Sequence, residues 1–156
     1  MPSKPPRPAP ANEAAELYFS LFLEIGIIAQ LSASRFQRVL PHGLTAAQFS
    51  LLNHCARLGD GWTPARLAAA FQVTRGTMTS TLQKLEGKGF IRVDPDADDA
   101  RSKRVFLTAP GRAAREAALR ALGPVLAGLP DGFPPDLARD ILPPLQQLRI
   151  WLDTHR

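Results

Sequence analysis

The chain has 156 residues, of which 45% are hydrophobic and 21% are charged, and its formal net charge is +5. This length corresponds to about one domain whose core needs no crosslinks, and the composition is that of an ordinary globular protein. The single cysteine, Cys55, excludes an internal disulfide framework and fits a reducing compartment. The N-terminus makes a poor signal peptide, and the apolar stretch from Leu17 to Leu31 is too short for a transmembrane helix. We therefore expect a cytoplasmic protein with no membrane partner.

The positive charge is concentrated in one part of the chain. Residues 63–89 carry four basic side chains against Glu86 and hold a net charge of +3. Residues 90–107 carry four basic and four acidic side chains and are neutral. A local excess of positive charge favours a polyanionic partner.

The N-terminal part is predicted to be a tail followed by one long helix. Residues 1–11 are rich in proline and lack an apolar period, which predicts a disordered tail. From Asn12 to about Val39, apolar residues recur at spacings of three and four, which predicts a helix of roughly 40 Å. Its apolar surface is broader than one chain is expected to cover. We assign residues 12–42 to dimerisation, with the core helix of a monomer as the alternative.

Three shorter helices follow, and each has a threonine that can cap its first turn. The sequence Thr45-Ala46-Ala47-Gln48 is a capping box and opens a helix that ends near Leu58. Thr63 precedes a proline and opens a helix that ends at Phe71. Thr74 opens a fourth helix, which ends at about Lys88 and buries three apolar side chains: Met78, Leu82 and Leu85. Gly89 is the predicted left-handed stop.

The next segment is predicted to be a two-stranded hairpin followed by more helix. Its strands are Phe90–Asp94 and Lys103–Leu107, joined by the loop from Pro95 to Arg101. Thr108 begins a fifth helix that ends at Gly128, and a last helical region opens at Pro134. The pair Pro143-Pro144 is expected to kink or divide this last helix, because proline lacks the N–H and clashes with the preceding turn. The predicted fold is mainly α with a small β-hairpin wing.

The helix pair and hairpin indicate a winged helix-turn-helix over residues 43–108. In such a unit the second helix enters the major groove with its N-terminal residues toward the bases. The predicted DNA-binding residues of that helix are Thr74, Arg75, Thr77, Thr79, Ser80, Gln83 and Lys84. Arg75, Ser80 and Gln83 are candidates for reading base edges, since arginine suits guanine and glutamine suits adenine. Lys84 and Lys88 are expected at phosphates; the alternative is a solvated helix that binds nothing.

The wing adds a second set of predicted contacts. Asp99 and Arg101 are expected to form an ion pair across the loop that aims the guanidinium into a narrow minor groove. Lys103 and Arg104 are expected to cover flanking phosphates. The alternative is a plain surface hairpin, in which such an ion pair contributes little.

Three segments of the chain resemble the MarR family of bacterial regulators. They are GLTAAQFSLLNHCARLG, RLAAAFQVTRGTMTSTLQKLEGKGFI and DPDADDARSKRVFLTAPGR. The resemblance implies a homodimeric repressor of a near-palindromic operator, with the first helix and residues 109–156 forming the dimer interface. Asp99 and Arg101 stand at the family's wing-tip aspartate and arginine, whereas Ser80 stands where the family often has arginine. The resemblance to the MarR family also implies a response to small aromatic or phenolic molecules.

An effector pocket is predicted where the first, second and fifth helices meet. The apolar faces of the first two helices supply its candidate residues, which are Phe22, Gly26, Phe49 and Leu52. The alternative for each residue is a place in the core.

The sequence contains no motif of an enzyme. It lacks a nucleophile elbow, a P-loop, a dinucleotide fingerprint and a pair of acidic residues at catalytic spacing. Cys55 is predicted to lie in the core rather than act as a redox switch, because it sits on the inward face of its helix. His54 and Cys55 are adjacent and so make a poor metal pair. We expect no catalytic residue, metal or cofactor; the alternative function is a winged-helix module for protein–protein contact without operator binding.

Overall fold

The computed structural model describes residues 11–99 and 101–155 and confirms a mainly helical fold with one antiparallel hairpin. The predicted tail lies almost wholly outside the described residues. The elements in chain order are α1 Ala11–Val39, α2 Ala46–Leu58, α3 Pro64–Phe71, α4 Arg75–Gly87, β1 Ile91–Pro95, β2 Lys103–Leu107, α5 Ala109–Ala127 and α6 Pro135–Thr154. A short 3-10 helix, Leu129–Asp131, precedes α6.

The chain divides into two compact units, one up to Arg38 and one from Val39 onward. The first unit contains α1, in which Leu17 and Phe19 are 68% and 71% exposed. The helix Asn12–Val39 is long and apolar enough to cross a membrane by length and composition alone, with a mean hydropathy of 1.5 and none of its apolar window buried. The expectation that this region is too short to span a membrane is therefore wrong, because the helix continues past the apolar stretch on both sides. The core helix of a soluble protein and a signal sequence pass the same test.

The predicted helix caps are confirmed. Thr45 Oγ1 accepts a hydrogen bond from the Gln48 N–H, and Gln48 Oε1 accepts one from the Thr45 N–H. Thr63, Thr74 and Thr108 each accept a hydrogen bond from the backbone N–H three residues later. These bonds satisfy N–H groups that the first turn of a helix leaves without an intrahelical partner.

The core lies in the second unit, where α2 contacts α4, α5 and β2. Its most deeply buried side chains are Leu44, Leu51, Leu52, Cys55, Leu67, Leu85 and Val105. The predicted core position of Cys55 is confirmed, with 1% of the residue exposed. Burial, together with the charge of Asp60, raises the pKa of the Cys55 thiol to about 11. The thiol is therefore protonated at neutral pH and poorly suited to redox sensing.

Helix α5 approaches the rest of this unit through small residues. Gly111, Ala114 and Ala118 are buried at helical spacing. A Cβ atom at Gly111 would lie 1.9 Å from the carbonyl oxygen of Phe90, a distance that backbone atoms cannot accept. Glycine at this position allows the first turn of α5 to pack against the start of the wing.

A third segment pairs with the two strands of the wing, and the sequence pattern did not indicate it. Strands β1 and β2 pair in a register that places Val93 opposite Val105. On its other side, Val105 forms an isolated antiparallel bridge with Trp62, in the loop between α2 and α3. A single bridging residue cannot show the alternation that predicts a strand. In the sequence, only the glycines at 59 and 61 indicated that this segment is a loop.

Helix α6 runs without interruption from Pro135 to Thr154. Of the two expected effects of Pro143-Pro144, division of the helix is wrong, and a kink stays a prediction. The two prolines cannot donate to the carbonyls of Arg139 and Asp140, but both of these residues are exposed. Water can therefore hydrogen-bond to those carbonyls in place of the missing N–H groups. Helix α5 likewise continues through Pro124.

Candidate nucleic-acid interface

Helix α4 has one buried face and one exposed polar face. Met78, Leu82 and Leu85 are buried, as predicted. The residues around the opposite face are exposed: Arg75, Thr77, Thr79, Ser80, Gln83 and Lys84. The start of the helix therefore presents small and basic side chains to solvent.

The hydroxyl groups at the start of α4 are engaged within the helix. The hydroxyls of Thr74 and Thr77 lie 2.9 Å apart, and Thr74 Oγ1 accepts the Thr77 N–H at 3.1 Å. The Thr79 hydroxyl donates to the Arg75 carbonyl at 2.8 Å. Phosphate oxygens only accept hydrogen bonds, so Thr79 cannot donate to a phosphate while it keeps this contact. In this arrangement Thr74, Thr77 and Thr79 shape the helix start, and Arg75 carries the free donors.

A groove of about 330 Å³ lies between α4 and the wing. It is lined by Thr63, Pro64, Ala65, Arg75, Thr79, Arg101, Ser102 and Lys103. The fold thus brings Arg75 of α4 and Arg101 and Lys103 of the wing to the same groove. Three basic side chains around one groove attract a polyanion.

A smaller groove of about 220 Å³ continues from the first and shares Pro64, Thr79 and Lys103 with it. Gln83 is among its lining residues, whereas Ser80 and Lys84 line neither groove. Glu86 also lines it and accepts the Val93 N–H at 3.2 Å. Glu86 was not among the predicted site residues, and its carboxylate joins α4 to β1.

The wing tip is held by backbone hydrogen bonds rather than by the predicted ion pair. Asp99 Oδ1 accepts the backbone N–H of Arg101 at 2.9 Å, and the Asp99 carbonyl accepts the Ser102 N–H at 2.8 Å. Among the described residues, no side-chain ion pair joins Asp99 and Arg101. An aspartate side chain readily accepts a hydrogen bond from the backbone N–H two residues later. The Asp99 carboxylate therefore contacts the Arg101 N–H instead of the Arg101 guanidinium. The predicted pair is corrected to a turn that fixes the backbone of Arg101 and leaves its side chain exposed.

Arg104 makes two contacts within the chain, and its predicted phosphate contact stays a prediction. Its Nε atom lies 2.6 Å from Asp96 Oδ2, and its Nη1 atom donates to the Gly61 carbonyl at 2.9 Å. A hydrogen bond from the Asp98 N–H and the contact with Arg104 lower the pKa of Asp96. Arg104 therefore ties the wing to the loop between α2 and α3.

Lys88 is exposed and makes hydrogen bonds within the chain, and its expected phosphate contact stays a prediction. Its Nζ atom donates to the carbonyl of His42 at 2.9 Å and lies 3.3 Å from that of Gly43. The backbone of His42 and Gly43 is left-handed, with φ angles of 59° and 60°. Lys88 thus stabilises the turn before α2.

An aromatic cluster, also missed in the sequence, braces α3 against α2. His54 of α2 packs edge-on against Trp62 and Phe71, with ring centroids 4.7 and 5.2 Å apart. The Arg66 guanidinium lies 4.7 Å from the centre of the Trp62 ring. Burial lowers the pKa of His54, whose Nε2 atom is buried without a hydrogen-bond partner.

The four predicted effector residues are divided between the two units. Phe22 and Gly26 are exposed residues of α1. Phe49 packs partly buried against the core of the second unit, and Leu52 is fully buried in that core. The effector pocket stays a prediction.

Comparisons with known proteins agree with this geometry. The sequence model described as MarR family matches residues 42–102. The transcriptional regulator HosA from Escherichia coli is 31% identical over 98 residues, which cover 63% of this chain and 71% of HosA. The chain belongs to the MarR family. A second relative, the transcriptional activatory protein BadR from Rhodopseudomonas palustris, is 30% identical over 105 residues, which cover 65% of this chain but only 60% of BadR.

Solved structures confirm the winged helix-turn-helix fold of this MarR-family protein. The transcriptional regulator BldR from Sulfolobus solfataricus superposes with a TM-score of 0.76 at 24% identity, covering 86% of this chain and 95% of BldR. A cysteine-to-serine variant of MarR from Escherichia coli, complexed with operator DNA, has a TM-score of 0.72 at 27% identity. That match covers 83% of this chain and 93% of MarR. HosA and BadR are named as transcriptional regulators rather than enzymes, in agreement with the predicted non-enzymatic role.

Proposed function

We propose that this MarR-family protein binds double-stranded operator DNA as a homodimer and represses transcription in the cytoplasm. The observation that carries the proposal is the groove between α4 and the wing, around which Arg75, Arg101 and Lys103 converge. The net charge of +3 on residues 63–89 supports the same surface. Phosphate contacts of basic side chains supply most of the sequence-independent affinity for DNA.

Helix α4 is the proposed reader of the major groove. Thr74 caps its first turn, which begins with Arg75 and Gly76. Because Gly76 has no side chain, a partner can approach the backbone closely at that position. A Cβ atom at Gly76 would meet only the Thr74 hydroxyl, at 3.9 Å. Arg75 and Gln83 line the grooves and are the proposed contacts with base edges; Ser80 and Lys84 are proposed to contact flanking DNA.

The wing is the proposed reader of the minor groove. Two turns, in which Asp96 accepts the Asp98 N–H and Asp99 accepts the Arg101 N–H, hold its tip. Because these turns already fix the backbone of Arg101, no further backbone entropy is lost when its guanidinium enters a narrow, electronegative groove. Lys103 is proposed to contact the adjacent phosphate.

Exposed apolar side chains in both units support the proposed dimer. In α1 they include Leu23, Ile28 and Leu31, and in α6 they include Leu142 and Trp151, each more than half exposed. Monomeric proteins rarely expose contiguous apolar patches of more than a few hundred Å². A second copy of the chain would cover such surfaces and set two readers about 34–36 Å apart, one turn of DNA.

DNA binding is tested by titrating a labelled duplex from upstream of the protein's own gene at two salt concentrations. We expect tight binding to an inverted repeat that weakens steeply as salt rises, because basic side chains release counterions from DNA. A scrambled duplex of the same length is the control. Absence of salt-dependent binding would contradict the proposal and favour a winged-helix module for protein–protein contact.

The dimer is tested by light scattering during gel filtration and by flotation with lipid vesicles. We expect a mass of two chains and no flotation. A monomer that floats with vesicles would show instead that α1 inserts into a membrane.

We further propose that a small aromatic or phenolic acid relieves repression by shifting the population between competent and incompetent dimers. Benzoate-like acids should then change both the melting temperature and the operator affinity. If neither quantity changes, ligand relief is contradicted. A promoter reporter tests the sign of regulation, since BadR is named as an activator.

A further inference from the structure

Asp60 lies in the loop between α2 and α3 and contacts two other elements through one carboxylate. Its Oδ1 atom accepts the backbone N–H of Leu107, the last residue of β2, at 2.9 Å. Its Oδ2 atom accepts a hydrogen bond from Nη2 of Arg112, in the first turn of α5, also at 2.9 Å. The carboxylate therefore links the loop, the wing and α5.

The loop around Asp60 pairs with the edge of β2 that faces away from β1. The Gly61 N–H donates to the Val105 carbonyl, and the Val105 N–H donates to the Trp62 carbonyl, both at 2.9 Å. In a strand, N–H groups two residues apart point to the same edge. The Leu107 N–H is thus the next donor along this edge, and the Asp60 carboxylate takes the place of the next backbone carbonyl.

The same loop leads directly into residues that line the groove. Thr63, Pro64 and Ala65 line the groove together with Arg101, Ser102 and Lys103 of the wing. Residues 60–62 therefore bind β2 by hydrogen bonds, and the next residue, Thr63, caps α3. A change in the Asp60 contacts would alter the separation of these two sets of lining residues.

We propose that Asp60 is a positioning residue, which sets Arg101 of the wing relative to α3 and α4. This inference rests on the proposed DNA binding. Arg112 is 54% exposed and the Asp60 side chain 26%, so direct attraction between the two charges contributes little. The effect of Asp60 arises from the placement of β2 by its hydrogen bonds.

The sign of the effect on DNA affinity separates positioning from simple charge. Removing a carboxylate near DNA should strengthen binding by Coulomb's law, whereas loss of positioning should weaken it. We expect Asp60→Ala to weaken operator binding about tenfold and Asp60→Asn about threefold, because asparagine keeps an acceptor for the Leu107 N–H. Asp98→Asn, an exposed wing aspartate, is the matched control and should leave affinity unchanged or higher.

A double-mutant cycle with Arg101→Ala tests whether Asp60 acts through the wing. If Asp60 positions Arg101, Asp60→Ala should cost less than about twofold once Arg101 is absent. Equal losses in both backgrounds would overturn the positioning role while leaving DNA binding intact. A wild-type protein that fails to bind DNA would instead overturn the proposed function, and this inference with it.

Thiol labelling shows whether a variant has merely opened the core. Cys55 is the one cysteine of the chain and is 1% exposed, so the dependence of its labelling rate on urea concentration reports core opening and separates it from the change in thiol pKa that loss of the Asp60 charge causes. We expect Asp60→Asn to show the urea dependence of the wild type and still bind DNA more weakly. A shift of that dependence to lower urea concentration in Asp60→Asn, in step with its loss of affinity, would assign Asp60 to stability alone and overturn the inference.

Discussion

The reader region, by which we mean α2 to α5, and the two terminal helices, α1 and α6, bury their leucines to very different extents. In α2, Leu51 and Leu52 are 1% and 0% exposed, whereas Leu17 and Leu31 of α1 are 68% and 62% exposed. Both helices repeat leucine at helical spacing. Helix α2 has neighbours on several sides within one chain, whereas α1 and α6 keep their apolar side chains in solvent.

Polar contacts differ in the same way. In the reader region they join distant elements, as where Arg115 of α5 donates to Asn53 of α2 at 3.1 Å. In α6 the ion pairs of Arg139 and Arg149 stay within the helix, three and four residues away. Contacts within one chain thus hold the reader together, whereas the terminal helices leave many of their apolar side chains exposed.

The largest expected contrast is between a core leucine and an exposed isoleucine. Leu85→Ala should lower the free energy of unfolding by about 2–5 kcal/mol at every protein concentration, because it leaves a cavity in α4's packing. Ile28→Ser in α1, where Ile28 is 61% exposed, should lower the melting temperature only at concentrations where the dimer forms. Calorimetry over a hundredfold range of concentration measures both. Concentration-independent melting of both variants would contradict the comparison.

Two glycines of α5 sharpen the account of the reader's packing. Gly111→Ala should cost about 3 kcal/mol in the free energy of unfolding, because its Cβ would overlap the Phe90 carbonyl. Gly123→Ala is the control in the same helix: a Cβ there would meet nothing within 4 Å beyond its chain neighbours and its own helix backbone, while the following Pro124 offsets the usual gain in helix propensity, so stability should change by less than about 1 kcal/mol. Urea denaturation measures both values. Similar stabilities for the two variants would show that α5 can shift away from β1.

Two arginines of the wing should separate DNA binding from stability. Arg101→Ala should weaken operator binding by about 1–3 kcal/mol without changing the melting temperature, because the Arg101 side chain is exposed. Arg104→Ala should cost about 2 kcal/mol of stability, since Asp96 and the Gly61 carbonyl lose their donor. The assignment fails if Arg101→Ala destabilises the protein and Arg104→Ala does not.

Neighbouring residues of α4 should affect DNA binding in different ways. Gln83→Ala should change the preference among operator sequences, because its amide is proposed to contact a base edge. Lys84→Ala should weaken all sequences alike and reduce the slope of log affinity against log salt by about one. Titrations of two operators at several salt concentrations distinguish these outcomes; a change of sequence preference in Lys84→Ala would reverse the roles.

The smallest expected effect is a pH dependence of stability from His54. Because burial lowers its pKa in the folded state, the unfolded chain binds the proton first as pH falls. The free energy of unfolding should therefore decrease as pH falls from about 6.5 to the folded-state pKa of His54. Below that pKa, His54 should contribute no further change. His54→Phe, which keeps an aromatic ring against Trp62, should remove that part of the dependence. An unchanged pH profile of the melting temperature would contradict it.

The sequence by itself determined the helices, their caps and the family. A threonine that caps a helix contacts an N–H three residues away, and the apolar period repeats within one turn, so both signals are local. The starts at Thr45, Thr63 and Thr74 and the buried face of α4 were predictable for this reason. The resemblance to the MarR family combined several such local signals in a fixed order.

Only the tertiary structure decided which charged side chains are free and which hold the fold together. Lys88, Arg104 and Asp60 find partners 43 to 47 positions away, and the sequence does not distinguish them from their exposed neighbours. Pro143-Pro144 leaves α6 undivided for a related reason, since water can replace a missing N–H at exposed carbonyls. A side chain's role depends on which carbonyl, carboxylate or solvent the fold brings beside it, and that is set by contacts between elements.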